Sequence, residues 1–286
     1  MRRVAGVDVG GTKCLGVVVD ENLKVVESAR VATPHASELA ATIVSLVEQM
    51  GEFDSVGVGV PGLITPGGVI RSSPNLVGAV ELPLADQLRA KLSVPVTIDN
   101  DATCAAHGEW TVGAARGARD AWMVTLGTGI GGGLVSGGVL QRGAHGFAGE
   151  IGHMVVELDG VPCPCGLNGC WERYASGSAL ARLADGVPGE EIVARARAGD
   201  DSAKTILEGF ARYVALGLVN LTNATDPEVI VIGGGVVVGS DELMPRIARH
   251  FASLLYAPEH RAHPRLVAAT LGERAGAIGA ALLGRQ

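Results

Sequence analysis

The sequence predicts an α/β protein made of two similar halves that flank a cleft, and three observations predict it. Short β-branched runs alternate with amphipathic stretches along the chain, the pattern of strands and helices layered on a mainly parallel sheet. One plan occurs twice: "GVDVGGTKCLGVVVD" at 6–20 and "VTLGTGIGGGLVSGG" at 124–138 both read as strand, Gly/Thr turn, strand. The length, 286 residues, is enough for two ordinary domains with real cores.

In chain order, "RVAGVDVG" and "CLGVVVD" form the first hairpin. "SELAATIVSLVEQM" at 37–50 is a helix, with Leu39, Ile43, Leu46, Val47 and Met50 on one face and Ser37 placed as its N-cap. "SVGVGVPG" and "VPVTIDND" are the next strands, the second running into the alanine-rich helix "ATCAAHGEW". No Pro/Ser-rich linker separates the halves, and the boundary is placed near 112–119, "VGAARGAR". "AWMVTLGTG" opens the second half. A long helix over 201–225 follows, with Leu207, Phe210, Val214 and Leu218 on one face, and "EVIVIGGG" and "PRLVAAT" are the later strands.

Charge and hydropathy exclude several classes. The net charge is −7 and the 23 Lys and Arg residues are scattered, which argues against a nucleic-acid surface. The longest strongly apolar run, "VIVIGGGVVVG" at 229–239, falls well short of the ~20 residues of a membrane span. "MRRVAGVD" starts with two arginines, but Asp8 interrupts any apolar signal region. A soluble, cytoplasmic protein is expected, without nucleic-acid or membrane partners.

Three glycine turns carry the first chemistry. In "DVGGTK", Gly10 and Gly11 leave backbone N–H groups unobstructed, Thr12 adds a hydroxyl and Lys13 a positive charge, a set that suits polyphosphate oxygens. Asp8, just before the turn, suits Mg²⁺ held through waters. "GTGIGGG" offers a second phosphate cradle through Gly127, Thr128, Gly129 and Gly131, and Gly233, Gly234 and Gly235 leave room for an adenosine. A single glycine doublet is as often a plain tight turn; three, each ending a β-run, favour ligand binding. Neither the Walker sequence nor the dinucleotide fingerprint is present.

Asp99, Asn100 and Asp101 stand where a strand ends and a helix begins. Ligands bind at such carboxyl ends, and a carboxylate there can take the proton of a hydroxyl that attacks phosphorus. Asn100 could bond neighbouring hydroxyls. The competing reading is helix capping, which needs only one such residue.

The segment "GEIGHMVVELDGVPCPCGLNGCWERYASG" at 149–177 contains His153, Cys163, Cys165 and Cys170, the one-nitrogen, three-sulfur set of a structural Zn²⁺ site. With four protein ligands no open position remains, so the metal is architectural. Glu150 and Glu172 flank the knot, which would make them rigid acceptors for sugar hydroxyls. Cys14 and Cys104 read as small buried residues without chemistry.

Together these motifs resemble the ROK family (repressors, open reading frames and kinases) of the sugar-kinase/actin/heat-shock ATPase superfamily, over essentially the whole chain. "DVGGTK" and "LGTGIGGG" resemble its phosphate motifs, "IGGG" its adenosine motif, and "CPCGLNGCWE" its C-x-C-G-x-x-G-C-x-E signature. The resemblance implies two actin-like (ribonuclease H-like) α/β domains flanking a cleft, with a zinc-bound loop. The small N-terminal domain would be 1–112, completed by a C-terminal helix at 272–286, and the large domain 113–271, with the zinc loop at 153–170. It also implies Asp101 as catalytic base, and Asn100, Glu150, His153 and Glu172 in contact with a sugar, His153 doubling as zinc ligand. Gly62 and Asn75, the latter in "SPNL", would line the sugar pocket. The implied activity is ATP- and Mg²⁺-dependent phosphorylation of a hexose, most simply of glucose at O6, by a homodimer or tetramer. N-acetylmannosamine, N-acetylglucosamine, fructose and allose are alternative substrates. A sugar-responsive repressor is disfavoured, because only seven residues precede Asp8, too few for a helix-turn-helix. Two departures stand out: Trp171 replaces a commonly smaller aliphatic residue, and 178–203 is short.

Overall fold

The computed structural model describes residues 2–237 and 241–285. In chain order come β1 (Val4–Val9), β2 (Lys13–Val19), β3 (Val25–Ala32), α1 (Leu39–Glu48), β4 (Ser55–Val60), β5 (Leu63–Ile64), β6 (Ile70–Ser72), β7 (Val80–Leu82), α2 (Leu84–Arg89), β8 (Val96–Asn100) and α3 (Asp101–Val112). Then follow β9 (Ala121–Leu126), β10 (Ile130–Ser136), β11 (Val139–Gln141), α4 (Glu172–Ala175), α5 (Gly177–Leu183), α6 (Gly189–Arg197), α7 (Asp201–Thr225), β12 (Val229–Gly233), α8 (Leu243–Leu254), β13 (Arg265–Ala268) and α9 (Ala275–Gly284).

Two five-stranded sheets have one plan. Their orders are β3-β2-β1-β4-β8 and β11-β10-β9-β12-β13. In each, the first three strands run antiparallel and the last two join in parallel. The repeated hairpin motif is therefore a repeated sheet. The expected mainly parallel sheet is in fact mixed, and connection length explains it: three residues between β1 and β2 permit only an antiparallel return, and parallel steps occur where a helix intervenes. Sequence reading passed over β3, "VVESARVA", whose residues are mostly exposed or half-exposed, because an edge strand has no continuous apolar run. A small antiparallel sheet, β5-β6-β7, completes the described strands.

Side-chain alternation sorts the sheets into layers. Ala5, Val7 and Val9 of β1 join Leu39, Ile43 and Leu46 of α1 in one core. On the other face Val4 meets Ala277, Ile278 and Ala281 of α9. In the second sheet Trp122, Val124 and Leu126 pack with Leu207, Phe210, Val214 and Leu218 of α7, while Met123 faces Cys104 and Ala105 of α3. Helices α3 and α9 thus lie between the sheets, touching each other closely. A Cβ on Gly57 would stand 1.7 Å from Ala280 O, and one on Gly279 1.6 Å from Cys104 O, so bare backbone is what lets these layers meet.

The long helix matches its expected span, and Asp200 caps it by accepting from Ser202 N and Ala203 N at 2.9 and 3.0 Å. Ser37 does not cap α1. It sits inside a 3₁₀ turn, Ala36–Glu38, that His35 caps instead, and α1 itself has no side-chain cap. The short C-terminal run 272–286 divides into a 3₁₀ turn, Gly272–Arg274, and α9; residue 286 lies outside the described residues. Trp171 is fully buried, its Nε1 donating to Tyr213 O at 2.7 Å. Its ring lies where a Cβ on Gly217 of α7 would be, so one missing side chain accommodates the larger one. Among the described residues no helix is long and apolar enough to cross a membrane.

Candidate active site

The site grows from the ends of β1, β4 and β8. In register, Asp8 pairs with Gly59 and Gly59 with Asp99. A Cβ on Gly59 would lie 3.3 Å from Asp101 Cα, so the bare glycine lets the start of α3 descend onto the sheet close to Asp8. Asp8 also abuts α9, where a Cβ on Gly276 would be 2.6 Å from its Cγ. Burial above all, then the charge of Asp101, pushes the Asp8 carboxyl up to about 7, with Lys13 opposing. Burial also raises Asp101, partly offset by backbone N–H groups at the start of α3. Two half-buried carboxylates that repel each other fit a divalent cation with anionic phosphates, and Asp8 would hold Mg²⁺ here.

The three acidic-end residues take separate duties. Asp99 is buried and bound by Arg142, Nε to Oδ2 at 2.6 Å, while its Oδ1 accepts from Asn100 N at 2.9 Å. Asn100 is the N-cap of α3, Oδ1 accepting from Thr103 N at 3.0 Å, and its Nδ2 donates to Gly62 O at 3.1 Å. One Nδ2 hydrogen of Asn100 is left for a ligand, so it serves capping and can still reach a hydroxyl. Asp101 bonds no side chain; its Oδ1 accepts from Ala102 N at 2.8 Å. Gly62 needs its positive φ of 108°, since a Cβ there would stand 2.3 Å from Ser72 O.

At the first glycine turn, Gly10 N donates to Lys13 O at 2.9 Å, and Thr33 Oγ1 donates to Gly10 O at 2.6 Å. Gly11 and Thr12 are exposed. Asn75 lies across from the turn, its Cβ 3.9 Å from the position a Gly11 Cβ would take. Lys13 is less free than the motif suggests. Its Nζ pairs with Glu273 at 2.8 Å, and Arg30 binds the other oxygen of that carboxylate. The second turn closes with Gly127 N donating to Gly129 O at 3.0 Å, and Gly177 N donating to Gly127 O at 2.7 Å. Gly131 backs onto Ala102 at the start of α3, and Glu172 Oε2 would touch any Cβ on Gly129. Thr128 is exposed at the turn's tip. In the third, Gly233 pairs with Thr125 and Gly234 (φ 93°) leans on Leu126 O, so the second and third turns adjoin. Gly235 has open space at its Cβ position.

The knot brings one ligand atom each from His153, Cys163, Cys165 and Cys170 within 4.8 Å of one another. Cys165 and Cys170 sulfurs are 3.6 Å apart, and Cys163 Sγ is 4.0 Å from His153 Nδ1. Zinc bonds of about 2.0–2.3 Å give tetrahedral edges of about this length, so the quartet fits Zn²⁺. His153 turns Nδ1 inward, leaving Nε2 3.9 Å from Glu150 Oε2. Glu172 Oε1 lies 3.2 Å from Cys163 Sγ and 4.0 Å from His153 Nδ1. Burial chiefly raises the Glu150 carboxyl, His153 opposes, and the charges of Asp101 and Glu172 add to the rise. Glu150 therefore lies within electrostatic reach of both Asp101 and Glu172.

Five residues here had no sequence signal. Gly59 and Gly276 look like ordinary small residues, Arg142 is one scattered arginine, and Thr33 and Glu273 lie far along the chain from the motifs that they brace. Only packing identifies them.

The sequence profile of the ROK family matches residues 4–286. A glucokinase of Streptomyces coelicolor is 36% identical, the alignment covering 98% of this chain and 97% of that protein. An N-acetyl-D-glucosamine kinase of Vibrio cholerae is 33% identical over 97% of this chain and 98% of its own length. Among solved structures, a ROK family glucokinase from Streptomyces griseus in complex with glucose and AMPPNP superposes with a TM-score of 0.92 at 36% identity, covering 99% of both chains. With the paired sheets, three glycine turns and sulfur–imidazole knot, these matches place the chain in the ROK family.

Proposed function

We propose that the protein is an ATP-dependent hexose kinase that phosphorylates glucose at O6, with Asp101 as general base. One observation carries this reading: at the N-terminus of α3 the half-buried Asp101 carboxylate is bonded by backbone N–H and by no side chain, and its charge reaches both Asp8 and Glu150. The glucokinase crystallised with glucose and AMPPNP, similar over nearly the full chain, supports it.

Glu150, His153 Nε2 and Glu172, stiffened by the knot, would accept or donate to sugar hydroxyls and orient O6 toward Asp101. The Asn100 amide and the backbone around Gly62 and Asn75 would bound the other side. The three glycine turns would cradle the nucleotide through backbone N–H groups, and Mg²⁺ at Asp8 would neutralise phosphate charge when bound. Asp101 takes the proton of the O6 hydroxyl as O6 bonds to the γ-phosphorus and the bond from that phosphorus to the ADP oxygen breaks. Residues 1–112 with the C-terminal helix, and 113–271, would be the two domains whose closure excludes water.

General bases typically contribute about 10²–10⁴-fold. Asp101→Asn is expected to lose at least about 100-fold in kcat while sugar affinity changes little. Near-normal turnover in that variant would remove Asp101 from the role. The N-acetyl-D-glucosamine kinase relative keeps a second substrate in play. ADP release measured across glucose, N-acetylglucosamine, N-acetylmannosamine, fructose and allose decides it. Preference for any sugar but glucose would overturn the substrate assignment.

A further inference from the structure

Helix α3 carries Asp101 at its start, and near its end stands Glu109, whose side chain is fully buried. The chain passes between the two five-stranded sheets twice around this helix. The first crossing, residues 113–120, leads from α3 to β9; the second, 269–274, leads from β13 to α9. Glu109 holds both. Its Oε1 accepts from Thr270 N at 2.9 Å and Leu271 N at 2.8 Å. Its Oε2 accepts from Ala114 N at 2.7 Å and from Thr270 Oγ1 at 3.1 Å. A Cβ on Gly113 would stand 2.1 Å from Oε2, so that glycine admits the carboxylate into the turn. Trp110 steadies the same crossing, Nε1 donating to Ala118 O at 2.8 Å.

Among the described residues Glu109 has no salt bridge, and four donors satisfy it instead. Burying a carboxylate is costly, and a neutral side chain could fill the same space. What a carboxylate adds is acceptor capacity on two oxygens at once, Oε1 for the second crossing and Oε2 shared between the two. Two strands of chain tied at one point can rotate about it but cannot slide past each other.

We propose that Glu109 is a positioning residue that joins the two crossings into a single pivot, so that the sheets close by rotation and bring Asp101 into register with the glycine turns. The inference rests on the kinase reading, in which closure aligns a sugar hydroxyl with a phosphoryl group. Misplacement of reacting groups by about 1 Å can cost about 100-fold in rate, so a loosened pivot acts on kcat more than on sugar binding.

The test is Glu109→Gln. The carboxamide keeps one acceptor oxygen, and its NH₂ must then face an N–H of one crossing or the other, donor against donor. Hydrogen exchange of the ligand-free variant should show peptides over 113–118 and 269–274 loosening together, about tenfold, with the strand peptides unchanged. kcat should fall by about tenfold or more while glucose affinity, from calorimetric titration, shifts less than about threefold. Thr270→Val removes only the hydroxyl donor, keeps the rest of the network, and should show the same kcat-selective loss at about two- to fivefold. Loosening spread evenly through both sheets, loosening of one crossing alone, or loss of affinity and turnover in equal measure would overturn the pivot. A failure of the kinase reading looks different: wild-type protein would release ADP with no hexose, while the exchange of the two crossings would still decide whether Glu109 couples them.

Discussion

Asp8 and Asp101 set the electrostatics of the site, and their pH behaviour follows from burial. In the folded protein Asp8 keeps its proton up to about 7, whereas the unfolded chain releases it near the ordinary 3.8. Between these values the folded state holds the extra proton, so unfolding releases one, and this contribution to stability falls as pH rises, levelling off above about 7. Its full size is at most about 4 kcal/mol. Asp101 acts in the same direction. Thermal melts of ligand-free protein from about pH 4 to pH 8 should therefore show Asp8→Asn gaining stability over wild type progressively with pH. A constant difference across that range would mean that Asp8 is not the titrating group. As the proposed base, Asp101 would have to be ionised to take a proton, so the acid limb of kcat should lie above the ordinary carboxylate range.

Among the elements, the knot is the one where the proposed sugar binding would be joined to stability. Val155 and Cys170 pair as an antiparallel bridge, as do Pro162 and Asn168, and Tyr174 OH accepts from Val161 N at 2.7 Å. Val156 N and Cys163 N also donate, to Gly169 O and Leu167 O at 2.8 and 2.7 Å, and a metal held by the quartet would tie this framework to His153. Glu172 opens α4 directly after the knot, and Trp171 anchors that helix against Gly217. Metal analysis should find about one zinc per chain. Chelation, or Cys165→Ser, should lower the melting temperature and weaken sugar binding by about tenfold, because Glu150, His153 and Glu172 lose their fixed spacing. Unchanged sugar affinity after zinc loss would reduce the knot to scaffolding.

At the scale of the whole molecule, the repeat is structural but not chemical. The two sheets share strand order and direction, yet the motif position of Asp8 in the first hairpin is Thr125 in the second, where Oγ1 bonds Gly131. The duplicated frame repeats the glycine turn, and of the two equivalent positions only the one in the first half has an acid. If the halves close on their ligands, glucose and a non-hydrolysable ATP analogue together should shrink the radius of gyration in small-angle scattering, and either alone should do so less. An unchanged radius with both bound would contradict closure.

Much of this was legible without coordinates, for local reasons. Strand and helix periods, turn glycines and the spacing of Cys163, Cys165 and Cys170 depend on neighbours in the chain, so the element order, the three turns and the metal quartet could be read directly. The polar edge strand β3 could not, because an edge has no core face to advertise. Nor could the duties of residues 99–101: that Asp99 rather than Asp101 pairs with Arg142 depends on a side chain 43 positions away, and that Asn100 reaches Gly62 O depends on backbone 38 positions away. The same holds for Lys13 with Glu273, Asp8 with Gly276, and Glu109 with residues 161 and 162 positions further on. By itself, then, the sequence determined the parts and the chemical groups they carry, since those follow from short-range pattern and residue type. Only the tertiary structure decided which buried charge faces which partner, because burial and charge interactions are set by the packing of distant elements.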